Sequence, residues 1–482
     1  MSSLFFEEKM KLKYAIWLIF LLFGLVILIN ASAHAPIHIN GNADFANQAG
    51  SEGWPGDGSQ KNPYIIQNYE INALSEDGIR IENTSVYFII RNCKIYNGRY
   101  GIYFKNVTNG IVENVNCYEN LGGIGFNSSI GDQIKNSNFY ENHYYGIYFY
   151  NSSGNSIFNC NAYRNENYGI ALDNSLNNII KNCNFYENSD GMILWFSNKN
   201  TIENCSFFNH YYYRAFYMFH SSENIVRNCY FYDNSIGLHL YLSDKNNISN
   251  CNFANYETDL NFTESDKNEL HKCKFSSVFP TELTINAYSG NLSIKGITAS
   301  PPEPAGWKSV GKYIEAKGNQ WANISIYYEE EEYEDYFEML KYDGNQWLLN
   351  GWYESKGINK QANYLWANIT SFSIFAIMQQ LPSLEVSILK PGNYLYIMDR
   401  EVIPLPEPFI IGKITIIASA SSILGIEKVE FYIDNHLRFV DTSEPYSWLW
   451  SEFSAANHEI KVIAYDKVGQ NATDKIRAFK IF

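Results

Sequence analysis

Chemistry on a sugar or a metal ion needs carboxylates, imidazoles or thiolates gathered at one place. The acids with regular spacing are Glu119, Glu141, Glu187 and Asp233, with Arg164 standing within their series. A pair of such carboxylates could act as acid and base in glycoside hydrolysis. They occupy one repeated position, however, which is the behaviour of a turn residue. A catalytic set should interrupt a repeat at a few places. The histidines His143, His210, His220, His239 and His271 fall at five different positions of that repeat. They therefore build no imidazole-rich copper site. Chain cleavage after Ala33 would bare His34, whose amine and ring could chelate a metal near His38, but no further ligand set supports this. All eight cysteines lie in the repeat and none forms a C-x-x-C pair, which leaves zinc and cluster sites without support. No metal and no cofactor are expected, and catalysis is not the favoured reading.

The aromatic residues carry more information. Phe, Trp and Tyr make up 16% of the chain, with 38 tyrosines. Tyr96, Tyr118, Tyr140, Tyr163, Tyr186, Phe208 and Tyr232 recur at one repeat position and are expected to stack as a structural ladder. The irregular rings are the candidates for binding. Tyr144, Tyr145, Tyr168, Tyr211, Tyr212 and Tyr213 lie in turns longer than their counterparts, and Tyr148, Trp195 and Tyr217 point outward from the strands that follow. Insertions at one edge of a repeat array commonly mark its binding face. Exposed rings beside amides and acids suit sugars, which offer apolar C–H faces and polar edges. These nine residues form the candidate carbohydrate-binding site.

The elements that must position them come from the repeat. Cys93, Val115, Ser137, Cys160, Cys183, Cys205, Cys229, Cys251 and Cys273 share one position at intervals of 22 to 24 residues. Around each runs N-x-I-x-N-C-x-F-Y-x-N, followed by a turn and G-I-x-F. Apolar residues alternate with polar ones inside each unit, so the unit contains short strands. The formula reads as two strands per coil, with Cys183 and Phe185 inward in one and Ile147 and Phe149 inward in the other. A single coil cannot bury its apolar face, whereas stacked coils share one core. Two residues before the repeat position come Arg91, Glu113, Lys135, Phe158, Lys181, Glu203 and Arg227. Signs largely alternate up this column, as strands about 4.8 Å apart require. The inward cysteines stack pointing the same way, a poor geometry for disulfides, and are expected to be buried thiols.

Near its start the chain carries Gly53-Trp54-Pro55-Gly56-Asp57-Gly58 and Asn62-Pro63-Tyr64-Ile65-Ile66. With the repeats, these residues resemble a right-handed parallel β-helix group common in archaeal surface proteins, in which the segment forms the N-terminal cap. The group belongs with carbohydrate-binding and sugar-hydrolase β-helices and includes the periplasmic copper-binding accessory proteins of nitrous oxide reductase. The resemblance covers roughly residues 36–280; it is specific for fold and unspecific for chemistry. Recognisable pectate-lyase, polygalacturonase and D-P-H epimerase patterns are absent from the sequence.

Outside the repeat, Lys9, Lys11 and Lys13 precede an apolar run from Ala15 to Ile29 and an Ala31-Ser32-Ala33 cleavage pattern. Residues 1–33 are read as a secretory signal, with an uncleaved N-terminal anchor as the alternative and no later membrane span. Thirty-six basic against 51 acidic residues give a formal charge of −15, which argues against a nucleic-acid partner. N-x-S/T sequons recurring from Asn83 to Asn471 suit a secreted or cell-surface chain. The Pro-rich stretch Ala299–Pro304 cannot continue a coil. Residues 281–380 read as a β-sandwich, and 384–482 resemble an Ig-like sandwich without an antibody-type disulfide. The expected fold is all-β: a right-handed parallel β-helix with its cap at 36–280, followed by two β-sandwich domains. The expected function is non-catalytic binding of a polysaccharide or cell-surface glycoprotein, in an oligomeric state the sequence does not specify. The alternatives are a polysaccharide lyase or glycoside hydrolase, and a structural envelope component or adhesin.

Overall fold

Each repeat folds into one turn of a parallel solenoid of about nine turns, seen in a computed structural model that describes residues 32–330, 333–381 and 383–482. The segment read as an export signal lies, through residue 31, outside the described residues. Successive turns pair in register: Ile124 lies beside Ile147, Ile147 beside Ile170 and Ile170 beside Met192.

A coil contains three strands where the sequence pattern indicated two. In one coil these are Tyr168–Asp173, Ile179–Lys181 and Asn184–Tyr186. The asparagine before the repeat position divides the last two. Asn159, Asn182 and Asn204 have φ of 53°, 56° and 55°, a left-handed conformation that asparagine tolerates better than most residues. The side chains then bond up the stack, Asn204 to Asn182, Asn182 to Asn159 and Asn159 to Asn136, each at 3.2 Å. The recurring acids are corner residues too: Glu119, Glu141 and Glu187, together with Arg164, have φ of 54° or 55°. Arg164 bridges its neighbours, 2.7 Å from Glu187 and 3.6 Å from Glu141.

Inside the helix, Phe185, Phe207, Phe231, Phe253 and Phe275 stack with centroids 4.9–5.3 Å apart. Each buried ring contributes about 1.5–3 kcal/mol relative to an exposed one. All eight cysteines are buried free thiols. Outside, the predicted tyrosine ladder is present, from Tyr96–Tyr118 at 5.2 Å to Phe208–Tyr232 at 4.9 Å. At the N-terminal end the helix Asn42–Glu52 places Phe45 on Tyr64 and Phe88, each at 5.1 Å. Gly56 must be glycine here, because at its φ of +107° a Cβ would come 2.0 Å from the Pro63 carbonyl oxygen.

The chain divides into two compact units. The first holds the helix through Thr298 together with residues 314–325 and 368–372. Its parallel stacking ends where antiparallel strands Thr281–Ser289 and Leu292–Gly296 pair with the last coil. The second unit comprises residues 299–313, 326–367 and 373–482. It contains a three-stranded and a seven-stranded sheet, packed around Ile416, Val429, Phe431, Trp450 and Val462.

Candidate functional site

The long strand of each coil carries the G-I-x-F motif and sends alternate side chains outward, so coil stacking builds two outward columns. One reads Tyr103, Gly125, Tyr148, Ala171, Ile193, Tyr217 and His239, and the other Lys105, Asn127, Tyr150, Asp173, Trp195, Phe219 and Tyr241. The lengthened turns project their rings over this face.

Six rings meet there. Tyr145 stacks on Tyr148 at 4.5 Å and on Tyr168 at 5.7 Å, while Tyr144 tilts against Tyr145 at 5.0 Å. Trp195 meets Tyr168 edge-on at 5.3 Å, and Tyr150 lies 6.5 Å from Tyr148. Ala171 and Ile193 point outward yet are buried, because neighbouring side chains close over these smaller positions. Tyr145, Tyr148, Tyr168, Trp195 and Tyr217 are therefore half-buried paving on the sheet. Tyr144, Tyr211, Tyr212 and Tyr213 stand at the turn edge, 45%, 56%, 87% and 54% exposed. Tyr217 belongs to a neighbouring group in which the Arg214 guanidinium sits 3.8 Å over its ring and His239 lies 5.2 Å away. Tyr211 faces Tyr256 at 6.4 Å.

Several residues of this face escape the sequence argument. Beside the paving is a cleft of about 360 Å³ lined by Arg99, Tyr100, Tyr103, Leu121, Phe126, Asn127, Tyr148 and Tyr150. Glycines make room for its Tyr100 ring: a Cβ on Gly122 or Gly125 would come within 2.5 or 2.8 Å of Tyr100 Cε1. The readable signal was Gly125 at an outward register position that its neighbours fill with tyrosine. Arg99 donates to Asp77 at 2.8 Å, and Asp77 also accepts from Arg80 at 2.7 Å.

Two carboxylates lie among the rings. Asp173 sits in register between Tyr150 and Trp195. Burial raises its pKa above the usual carboxylate value, and a hydrogen bond with Tyr148 opposes the shift. Asp190 accepts from the Arg214 backbone at 2.7 Å, and burial outweighs the arginine to raise its pKa also. Burial, with Arg214 adding to it, pushes His239 down to about 4. The surface thus offers ring faces, phenols, an amide and a carboxylate, which matches the mixed apolar and polar character of a sugar chain. Among the described residues, no group of three or more His, Cys, Asp and Glu side chains could hold a metal ion, and no helix is long and apolar enough to cross a membrane.

Comparison with known proteins agrees with the architecture. The model of the right-handed β-helix region matches residues 56–131, 77–214 and 127–275, and that of the bacterial Ig domain matches 406–462. No curated protein matches the chain. Similar solved structures include the A-module of a mannuronan C-5 epimerase from Azotobacter vinelandii, 14% identical with a TM-score of 0.38, covering 42% of this chain and 64% of that one. The periplasmic alginate epimerase AlgG is 15% identical with a TM-score of 0.37, covering 44% of this chain and 62% of that one. The Dettilon tailspike protein is 11% identical with a TM-score of 0.33, covering 72% and 87%. The chain thus spans somewhat under two thirds of the two epimerase structures. The parallel solenoid over residues 56–275 is similar to the right-handed β-helix region, and residues 406–462 are similar to a bacterial Ig domain.

Proposed function

We propose that this is an exported protein that binds a polysaccharide, or the glycan of a cell-surface glycoprotein, along the outward face of its long strands. The observation that carries the reading is the continuous paving of Tyr144, Tyr145, Tyr148, Tyr150, Tyr168 and Trp195 beside the Tyr100–Tyr103 cleft. Ring faces stack on sugar C–H surfaces, while Asn127, Arg99 and Asp173 offer hydrogen bonds to hydroxyl groups. The basic flank, apolar run and cleavage pattern at the N-terminus support export. Screening the secreted protein against a glycan panel, with product analysis on every binder, tests this reading. It expects retention of one glycan class with the glycan recovered intact; no retention of any glycan would refute it.

A second reading, a polysaccharide lyase or hydrolase, draws on Asp173, a carboxyl of raised pKa hydrogen-bonded to Tyr148. Burial favours the neutral form of such a carboxyl, the form that donates a proton in general acid catalysis. Cleaved product that disappears in Asp173→Asn would favour it.

A further inference from the structure

We propose that Ser454, His458 and Asp434, in the Ig-bearing second unit, form a hydrolytic triad that cleaves esters. The sequence brings them together through a hairpin. Asp434 and Asn435, at φ of 52° and 63°, turn the chain between strands Ile426–Ile433 and His436–Asp441. The strand Ala455–Asp466 runs antiparallel beside the first of these. Glu459 donates its backbone N–H to Asp434 Oδ1 at 2.9 Å, and Asp434 returns its own N–H to the Glu459 carbonyl at 3.0 Å. This exchange fixes the carboxylate at the start of the neighbouring strand.

Asp434 Oδ2 lies 2.6 Å from His458 Nδ1. An ionised carboxylate can only accept, so Nδ1 carries the imidazole proton. Nε2 is left as an acceptor, and Ser454 Oγ donates to it. Nucleophile, base and orienting carboxylate are thus joined in the order acyl transfer requires. The His458 ring meets the buried Trp450 edge-on at 5.1 Å, which restrains its plane. Two exposed apolar rings belong to residues adjoining Ser454. Phe453 and Phe482 are 77% and 64% exposed, with ring centroids 6.3 Å apart. Phe482 is tied to the serine through its N–H, which donates to the Ser454 carbonyl at 2.9 Å. That lip suits an ester with a small acyl or aryl group.

In the reaction Ser454 Oγ attacks the ester carbonyl carbon, and its proton passes to His458 Nε2. The same nitrogen returns the proton to the departing alcohol oxygen as the carbon–oxygen bond breaks. Water, deprotonated by Nε2, then attacks the acyl-serine and releases the carboxylic acid and free Ser454. Asp434 acts through His458 and is a positioning residue.

The test uses the full secreted chain with an alkyl fluorophosphonate and with p-nitrophenyl acetate. The expected result is a covalent adduct mapped to Ser454 by peptide mass spectrometry, absent from Ser454→Ala and His458→Ala. Asp434→Asn should lower kcat for the ester roughly a hundredfold or more with KM unchanged, and Asp434→Glu should recover part of it. Ser454→Ala removes one half-buried hydroxyl and keeps the melting temperature. No adduct on Ser454 of the folded wild type, or equal ester hydrolysis by Ser454→Ala, overturns the proposal.

Discussion

Asp132 holds a position that asparagine fills in the coils above it. At Asn155 the amide donates to the Ser129 carbonyl at 3.1 Å. At Asp132 one oxygen accepts from the Gly110 N–H at 2.7 Å, while the buried Oδ2 has no partner. An oxygen stands where its column supplies a donor. Burial raises the Asp132 pKa well above the usual carboxylate range, against the Gly110 N–H bond, which lowers it; the protonated form would also supply the missing donor. A raised folded-state pKa gives stability that is fully present below the unfolded value and is lost as pH rises toward the folded value. Asp132→Asn supplies the donor at every pH. It should stabilise the helix at pH 7 by about 1–3 kcal/mol, and this advantage should shrink toward pH 4, as followed by thermal melts across pH. A second inner amide column contains one imidazole: His210 lies between Asn188 and Asn234, with its ring 3.0 Å from the Asn188 carbonyl oxygen. Burial pushes its pKa down to about 4. Neither internal column was recognised from sequence, because asparagine also supplies the outer corners and the two uses look alike in an Asn-rich chain.

At the scale of the element, the coil period and the inward positions were legible because stacking forces one residue type onto one column. Cys183 and Phe185 are inward and buried, as alternation requires. The third strand was hidden, since a three-residue strand such as Ile179–Lys181 is too short to show its own alternation. What separates it is the left-handed Asn182. Replacing Asn182 with alanine loses its ladder bonds to Asn159 and Asn204 and forces a Cβ residue into a left-handed corner without that compensation. We expect a cost of about 1–3 kcal/mol, measured by chemical denaturation, with parallel pairing retained. The lengthened turns were also readable as insertions. Their three-dimensional result was not: Tyr145, Tyr148 and Tyr168 pave the sheet, while Tyr212 projects from it. Spacing reveals which turn carries a ring but not the small neighbour that lets a ring lie down, as Gly122 and Gly125 do for Tyr100.

Over the whole molecule, repetition makes the β-helix legible and leaves its far end obscure. The end of the repeat after Cys273 was visible, but antiparallel strands then pair with the last coil, and no periodicity announces that continuation. The stacked cysteines are a property of the entire helix. Burial raises the Cys93 pKa to about 11 and also pushes the Cys117 thiol well up, so a thiol reagent should modify neither until the helix unfolds. Reductant should leave the melting temperature unchanged; a reductant-dependent shift would reveal disulfides. On the proposed reading, the aromatic face binds sugar independently of core stability. Its most direct test is titration calorimetry with a glycan recovered from the panel, using wild type, Trp195→Ala, Tyr212→Ala and Phe185→Ala. Trp195→Ala and Tyr212→Ala should each lose on the order of 1 kcal/mol of binding energy and melt nearly as wild type does. Phe185→Ala should instead lose roughly 3–5 kcal/mol of stability. Unchanged binding by both Trp195→Ala and Tyr212→Ala, or early melting of both, would contradict the aromatic face as a sugar-binding site.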